Sequence, residues 1–172
     1  MPSRAEHCNY DLYRMAMQGL PAELYGPGNE ASQYNCGRVT FEQQLEVLRS
    51  SRAYFYTGTH PASYTLNFME AWMTGTPVVA IGPYYGNAKF HKRPPYPNGP
   101  DDGCLYEVAR LIEHGTTGFV SDNVTELRMY CKTLLRDPVL AKQISDEGRK
   151  MAIVHFGRPT IKERWKQFFE TL

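Results

Sequence analysis

The stretch ASYTLNFMEAWMTGTPVVA, residues 62–80, sets one carboxylate, Glu70, inside an apolar run that turns through Gly75 and Pro77 into PVVA. Apolar residues at three- and four-residue steps predict a helix over its first part, and the valine pair predicts a strand after the turn. On a helical wheel Leu66, Met69, Trp72 and Met73 make one broad apolar face, Phe68 lies beside it, and Glu70 sits at its margin. A helix this apolar is expected to be buried. An acid on its edge, one or two turns from its N-terminus, can accept hydrogen bonds from a ligand's hydroxyls, while the unpaired amides of the first turn can hold phosphate. A nucleotide offers both groups. The plainer reading is that Glu70 caps a loop amide or pairs with an arginine, because helix margins carry most charges.

Outward from this stretch the pattern alternates. RAYFYTG, residues 52–58, precedes it as a strand ended by Gly58. Residues 8–18 read as an amphipathic helix with Asn9 as cap, AELYG (22–26) as a short buried strand, RVTF (38–41) as a second, and 41–49 as a helix. Beyond residue 103 follow a short helix in LYEVARLIEHG, a last strand in TGFVSD, and helices over 124–136, 137–156 and about 160–172. Strands alternating with helices predict an α/β fold, a Rossmann-like parallel sheet with helices on both faces. Such sheets bind ligands outside the carboxyl ends of their strands, which singles out the loops after Tyr25, Thr57 and Ile81. Residues 82–103, rich in Gly, Pro and Asn, predict a long loop, and its Lys89, His91, Lys92 and Arg93 are either a solvated turn or a source of positive charge.

A chain of 172 residues is expected to form one domain, 1–172, and a net charge of +1 argues against nucleic acid or a membrane surface as a partner. Cys8, Cys36, Cys104 and Cys131 form no CxxC pair, so reduced structural thiols are expected and neither a metal site nor a disulfide framework. The opening residues carry no signal-peptide core, and no apolar run is long enough to span a bilayer. A cytoplasmic location is the expectation.

Three motifs in fixed order, TGTHP, MEAWM and GTPVVA, followed by HGTTGFV at residues 114–120, resemble the carboxyl-terminal, nucleotide-sugar-binding half of group 1 glycosyltransferases with the GT-B fold. The likeness runs from about residue 21 to the end. It implies a donor-binding domain that needs no cofactor, the nucleotide-sugar being the substrate. That family has two Glu separated by seven residues, of which the second grips the ribose hydroxyls; Glu70 matches the second. By the same matching Tyr64, Thr65 and Leu66 fall where amides meet phosphate, and Gly37, Arg38 and Val39 fall where the backbone frames the base. Thr59 and His60 lie in the adjoining loop and can face the donor, although His60 also reads simply as a loop residue satisfied by its neighbours.

The likeness is incomplete. Ala62 stands where the family's first Glu binds the transferred sugar, Arg4 has no Lys at the spacing of the family's basic pair, and no acid/base residue is identified as catalytic. The acceptor-binding half of the GT-B fold is not in this sequence, so an acceptor-binding domain or partner chain is expected. Two readings follow: the donor half of a retaining, metal-independent glycosyltransferase, or a non-catalytic nucleotide-sugar binding or assembly module derived from one. A methyltransferase or receiver domain is disfavoured, for lack of a G-x-G-x-x-G after a first strand and of an acidic cluster suited to Mg²⁺. The last helix, with Ile161, Trp165, Phe168, Phe169 and Leu172 at helical spacing, either docks on its own domain or recruits a partner such as a second copy of the chain.

Overall fold

The computed structural model describes residues 8–59, 64–83 and 106–172. Helix α1 (Tyr10–Met17) leads into strands β1 (Leu24–Tyr25) and β2 (Asn35–Gly37), then α2 (Phe41–Ser50), β3 (Tyr54–Tyr56), α3 (Leu66–Thr74) and β4 (Val78–Ile81). The second part holds α4 (Val108–Leu111), β5 (Phe119–Ser121), α5 (Val124–Arg136), α6 (Pro138–Phe156) and α7 (Arg158–Glu170). All strand pairs are parallel, but they form two sheets, β1-β2 and β3-β4-β5, with β4 in the centre of the second.

Strand β4 carries Val78, Val79, Ala80 and Ile81, each fully buried, so both faces of the sheet are covered. Burying each of the larger of these side chains stabilises the fold by about 1.5–3 kcal/mol. Helices α2, α3 and α6 form one contiguous layer; α5 lies on β4 and β5 and is flanked by α1. Gly75 closes α3 in the left-handed region, at φ 82°, which other residues adopt only with strain, and this turn feeds the chain straight into β4.

Several details depart from the expected elements. The strand expected over RVTF is displaced: β2 ends at Gly37 (φ 81°), and Thr40 already caps α2 through a capping box with Gln43. Asn9 stands at the N-cap of α1 but makes no side-chain cap; its Nδ2 donates instead to the Thr57 carbonyl, 2.8 Å away. The buried face of α3 is Phe68, Ala71 and Trp72, whereas Leu66 is 68% exposed and Met69 and Met73 are half-buried. Of the face expected from Leu66, Met69, Trp72 and Met73, Trp72 is buried, Met69 and Met73 border the core, and Leu66 alone points outward. The rest of the loop expected over 82–103, from residue 84 on, with its basic residues, lies outside the described residues.

The inner face of α3 is fixed by one joint. Trp72 Nε1 donates to the Thr117 carbonyl at 3.1 Å, and α6 closes over it at Gly148. A Cβ at Gly148 would lie 2.8 Å from both that carbonyl and the Trp72 nitrogen, closer than side-chain atoms pack. The Gly148→Ala variant is expected to lose about 1–3 kcal/mol of stability, read as a lower urea midpoint; an unchanged midpoint would mean α6 is not seated on Trp72.

Candidate functional site

The carboxyl ends of β3 and β2 present two helix N-termini, and the two are finished differently. At α2 the Gln43 amide donates to Thr40 Oγ1 at 3.3 Å while the Gln43 side chain accepts from the Thr40 amide at 2.8 Å. This end satisfies its own donors. At α3 the N-cap residue Thr65 makes no side-chain cap, and no acid stands in the first turn. The amides of Leu66 and Asn67 have no acceptor among the described residues, so an anion placed there meets free donors and the positive end of the helix dipole.

Beneath this end lies Tyr56, the last residue of β3. It is 4% exposed, and its buried hydroxyl meets no hydrogen-bond partner in good geometry, although the Thr65 and Thr59 side chains lie close by. Burial pushes its phenol pKa up, and the nearby Thr65 and Thr59 act in the opposite direction. The ring is fixed by stacking on Tyr106 at 6.3 Å and by Phe68 at 5.5 Å. A polar atom held in this way costs stability until something accepts its proton.

Glu70 sits one turn further along α3, half-buried, and Oε2 accepts a 2.5 Å hydrogen bond from Gln44 Nε2 of α2. Neither plain alternative holds among the described residues: Glu70 caps no amide, and no Lys or Arg reaches ion-pair distance. Oε1 is left for another donor. Glu70 also lines an open groove of about 520 Å³ with Leu45, Arg49, Met69, Met73 and Arg149. Tyr54 lies close enough for the carboxylate to add to the upward shift that burial gives its phenol.

The remaining candidates divide into two clusters. Tyr64, Thr65 and Leu66 lead into α3, with Thr59 beside the Tyr56 hydroxyl. The Tyr64 ring is tied down by Phe68 at 6.3 Å and Phe156 at 5.5 Å. Gly37, Arg38 and Val39 lead into α2; Arg38 is exposed, and Val39 lines a second groove, of about 630 Å³, together with Tyr25 and Gln43. Glu70 and Val39 thus line neighbouring grooves that share Leu45 and Arg49 of α2. His60 and Ala62 lie outside the described residues.

Two participants escaped the sequence reading. Gln44 had a readable signal, since TFEQ fixes the start of α2 and so the face Gln44 presents. Tyr56 had none, because a strand tyrosine reads as core. Thr57 belongs to the frame: its hydroxyl donates to the Cys8 carbonyl at 2.5 Å and its carbonyl accepts from Asn9, tying the β3 loop to α1. The His114 Nδ1 lies 2.9 Å from the Val120 carbonyl and 3.2 Å from its amide, which ties the turn before β5 to that strand.

No family model and no curated protein matches the chain. Among solved structures it is similar to a mutant of S. aureus TarM in complex with fondaparinux, alpha-GlcNAc-glycerol and UDP, with a TM-score of 0.63 and 15% sequence identity. The alignment covers 98% of this chain and 33% of that one, so the chain spans about one third of the length of TarM. What this likeness establishes is the fold: an α/β, Rossmann-like arrangement of parallel strands flanked by helices, shared with a GT-B glycosyltransferase.

Proposed function

We propose that this chain is the donor-binding half of a glycosyltransferase, transferring a sugar from a nucleotide-sugar to an acceptor with retained configuration, in the cytoplasm and together with an acceptor-binding domain or partner chain. The observation that carries this reading is the α3 N-terminus: uncapped, set at a strand's carboxyl end, and underlain by the unpartnered Tyr56 hydroxyl. Its neighbour in fold was solved with UDP, which makes a nucleoside diphosphate the ligand to try first.

In this reading the amides at Tyr64, Thr65 and Leu66, with that of Asn67, take the diphosphate, and the Tyr56 hydroxyl donates to one of its oxygens. The free oxygen of Glu70 accepts from the ribose hydroxyls while Gln44 holds the other. Residues Gly37, Arg38 and Val39 frame the base, and Thr59 and His60 flank the sugar. The bond from the anomeric carbon to the diphosphate breaks, a bond from that carbon to the acceptor oxygen forms on the same face, and the acceptor's proton passes to the departing phosphate. The fixed donors of α3 stabilise the charge that develops on the leaving group without reorganising. No metal or cofactor enters these steps.

A second reading is favoured by Ala62, which stands where the related enzymes use an acid on the transferred sugar. It makes the chain a nucleotide-sugar binding or assembly module. Calorimetry with UDP and UDP-sugars, followed by assay of the bound sugar for slow hydrolysis, separates the two. Hydrolysis supports the enzyme, binding without hydrolysis supports the module, and no binding to any nucleoside diphosphate removes both.

Two substitutions test the residue roles. Glu70→Gln is expected to keep the fold and weaken nucleoside diphosphate binding by about 1.5–3 kcal/mol, the value of a charge-assisted hydrogen bond; unchanged affinity would rule out the ribose contact. Tyr56→Phe should move two observables in opposite directions. Without ligand it removes an unsatisfied buried hydroxyl and is expected to raise the melting temperature by roughly 2–4 °C, while with ligand it loses a donor and binds more weakly. A variant that binds as tightly as the parent would show that the hydroxyl faces no phosphate.

A further inference from the structure

Strand β1 ends on Tyr25, and in the parallel pair with β2 this tyrosine stands opposite Gly37, the first of the three residues that lead into α2. The pairing is held on both sides of it. The Leu24 amide donates to the Tyr34 carbonyl at 2.8 Å and the Gly26 amide to the Gly37 carbonyl at 2.9 Å. Asn29 Nδ2 closes the following turn by donating to the Tyr25 carbonyl at 3.2 Å. A Cβ at Gly37 would meet nothing within 4 Å, so the space over that stretch of backbone is open.

The Tyr25 side chain is fixed as well. Its hydroxyl donates to Glu23 Oε2 at 2.7 Å, and this bond, ahead of burial, pushes its phenol up to about 12. The ring therefore stays neutral at any working pH. It lines a groove with Val39, Leu45 and Val47, whose rim carries Glu42 and Glu46. Arg49 also lines the groove, but its guanidinium is engaged by Glu46 at 2.8 Å. Such a groove repels an anion. What suits it is a flat, uncharged ring with N–H groups along its edge, and a nucleobase is that. Its volume of about 630 Å³ falls among those of small-ligand sites, and it shares Leu45 and Arg49 with the groove that Glu70 lines.

We propose that Tyr25 is the platform on which the nucleobase stacks, with Val39 and the Gly37 backbone framing it. The inference rests on the reading of the α3 end as a diphosphate site and gives the base a partner that the sequence motifs did not name. Every base has a π-face, so a stacked tyrosine is tolerant of base identity. Tyr25 thus sets the preference for a nucleotide over a bare diphosphate, not the choice among nucleotides.

Calorimetry on the whole chain compares UDP with inorganic pyrophosphate, which can reach the α3 end but has no base. The parent is expected to bind UDP the more tightly. Tyr25→Leu should lose about tenfold or more in UDP affinity and nothing for pyrophosphate, whereas Tyr25→Phe, which keeps the ring, should stay within about twofold of the parent. A second measurement needs no variant that could unfold: in the parent with UDP, nuclear Overhauser effects from uracil H5 and H6 should reach one tyrosine ring, whose signals are absent in Tyr25→Phe. The stack is overturned if those effects reach other residues only, or if folded Tyr25→Leu binds UDP as the parent does; binding of both ligands would then leave the diphosphate site standing. A parent that binds neither ligand would overturn the stack and the diphosphate site together.

Discussion

The hydrogen bond from the Trp72 indole to the Thr117 carbonyl joins three elements that the rest of the structure depends on. Trp72 belongs to α3, Thr117 to the turn before β5, and Gly148 of α6 allows a third backbone to close over the pair. Thr117 is held in turn, because its hydroxyl accepts from the Glu113 amide at 2.9 Å, and the Gly115 amide returns to the Gly118 carbonyl at 2.8 Å. The residues of HGTTGFV therefore hold that carbonyl in place. What that carbonyl fixes is the direction of α3: with its inner face locked, the helix can only aim its first turn at the end of β3.

Much of this was legible because local rules and burial agree. PVVA reads as a strand buried on both faces and is one, and Gly75 reads as the turn before it and takes the left-handed conformation there. Agreement ended where the signal carried no phase. Helix α3 is apolar on nearly every side, so a wheel drawn from its sequence cannot say which side faces in. The answer came from Trp72, whose single donor finds a buried acceptor only when Phe68, Ala71 and Trp72 point inward. That orientation turns Leu66 outward and leaves Glu70 on the groove beside α2 rather than in the core.

The site was legible in a different measure. Residue types and order placed a carboxylate one turn beyond an open helix end, and the structure keeps that relation along the chain. What sequence did not carry was the contrast between the two helix ends. The same Thr that caps α2 through Gln43 has a counterpart, Thr65, that caps nothing. The reciprocal bond of a capping box needs a glutamine or glutamate three residues on; after Thr65 that position is Phe68. An apolar residue there serves the core through its contacts with Tyr56 and Trp72 and forfeits that bond.

Forfeiting the cap matters because of what lies below it. A self-capped α3 would have its donors occupied, and a phenylalanine at position 56 would leave nothing unsatisfied; either change would stabilise the empty protein. Neither feature is confined to this place, since α1, α4 and α7 also lack a side-chain cap and the Tyr34 hydroxyl is also buried unpaired, but here the two meet at one strand's carboxyl end. By contrast α2, α5 and α6 spend their N-cap side chains on their own amides, through Thr40, Asn123 and Asp137. Of the uncapped helix ends, that of α3 is the one the Trp72 joint holds against β3, and a donor set can act on a ligand's charge only when its direction is fixed in advance.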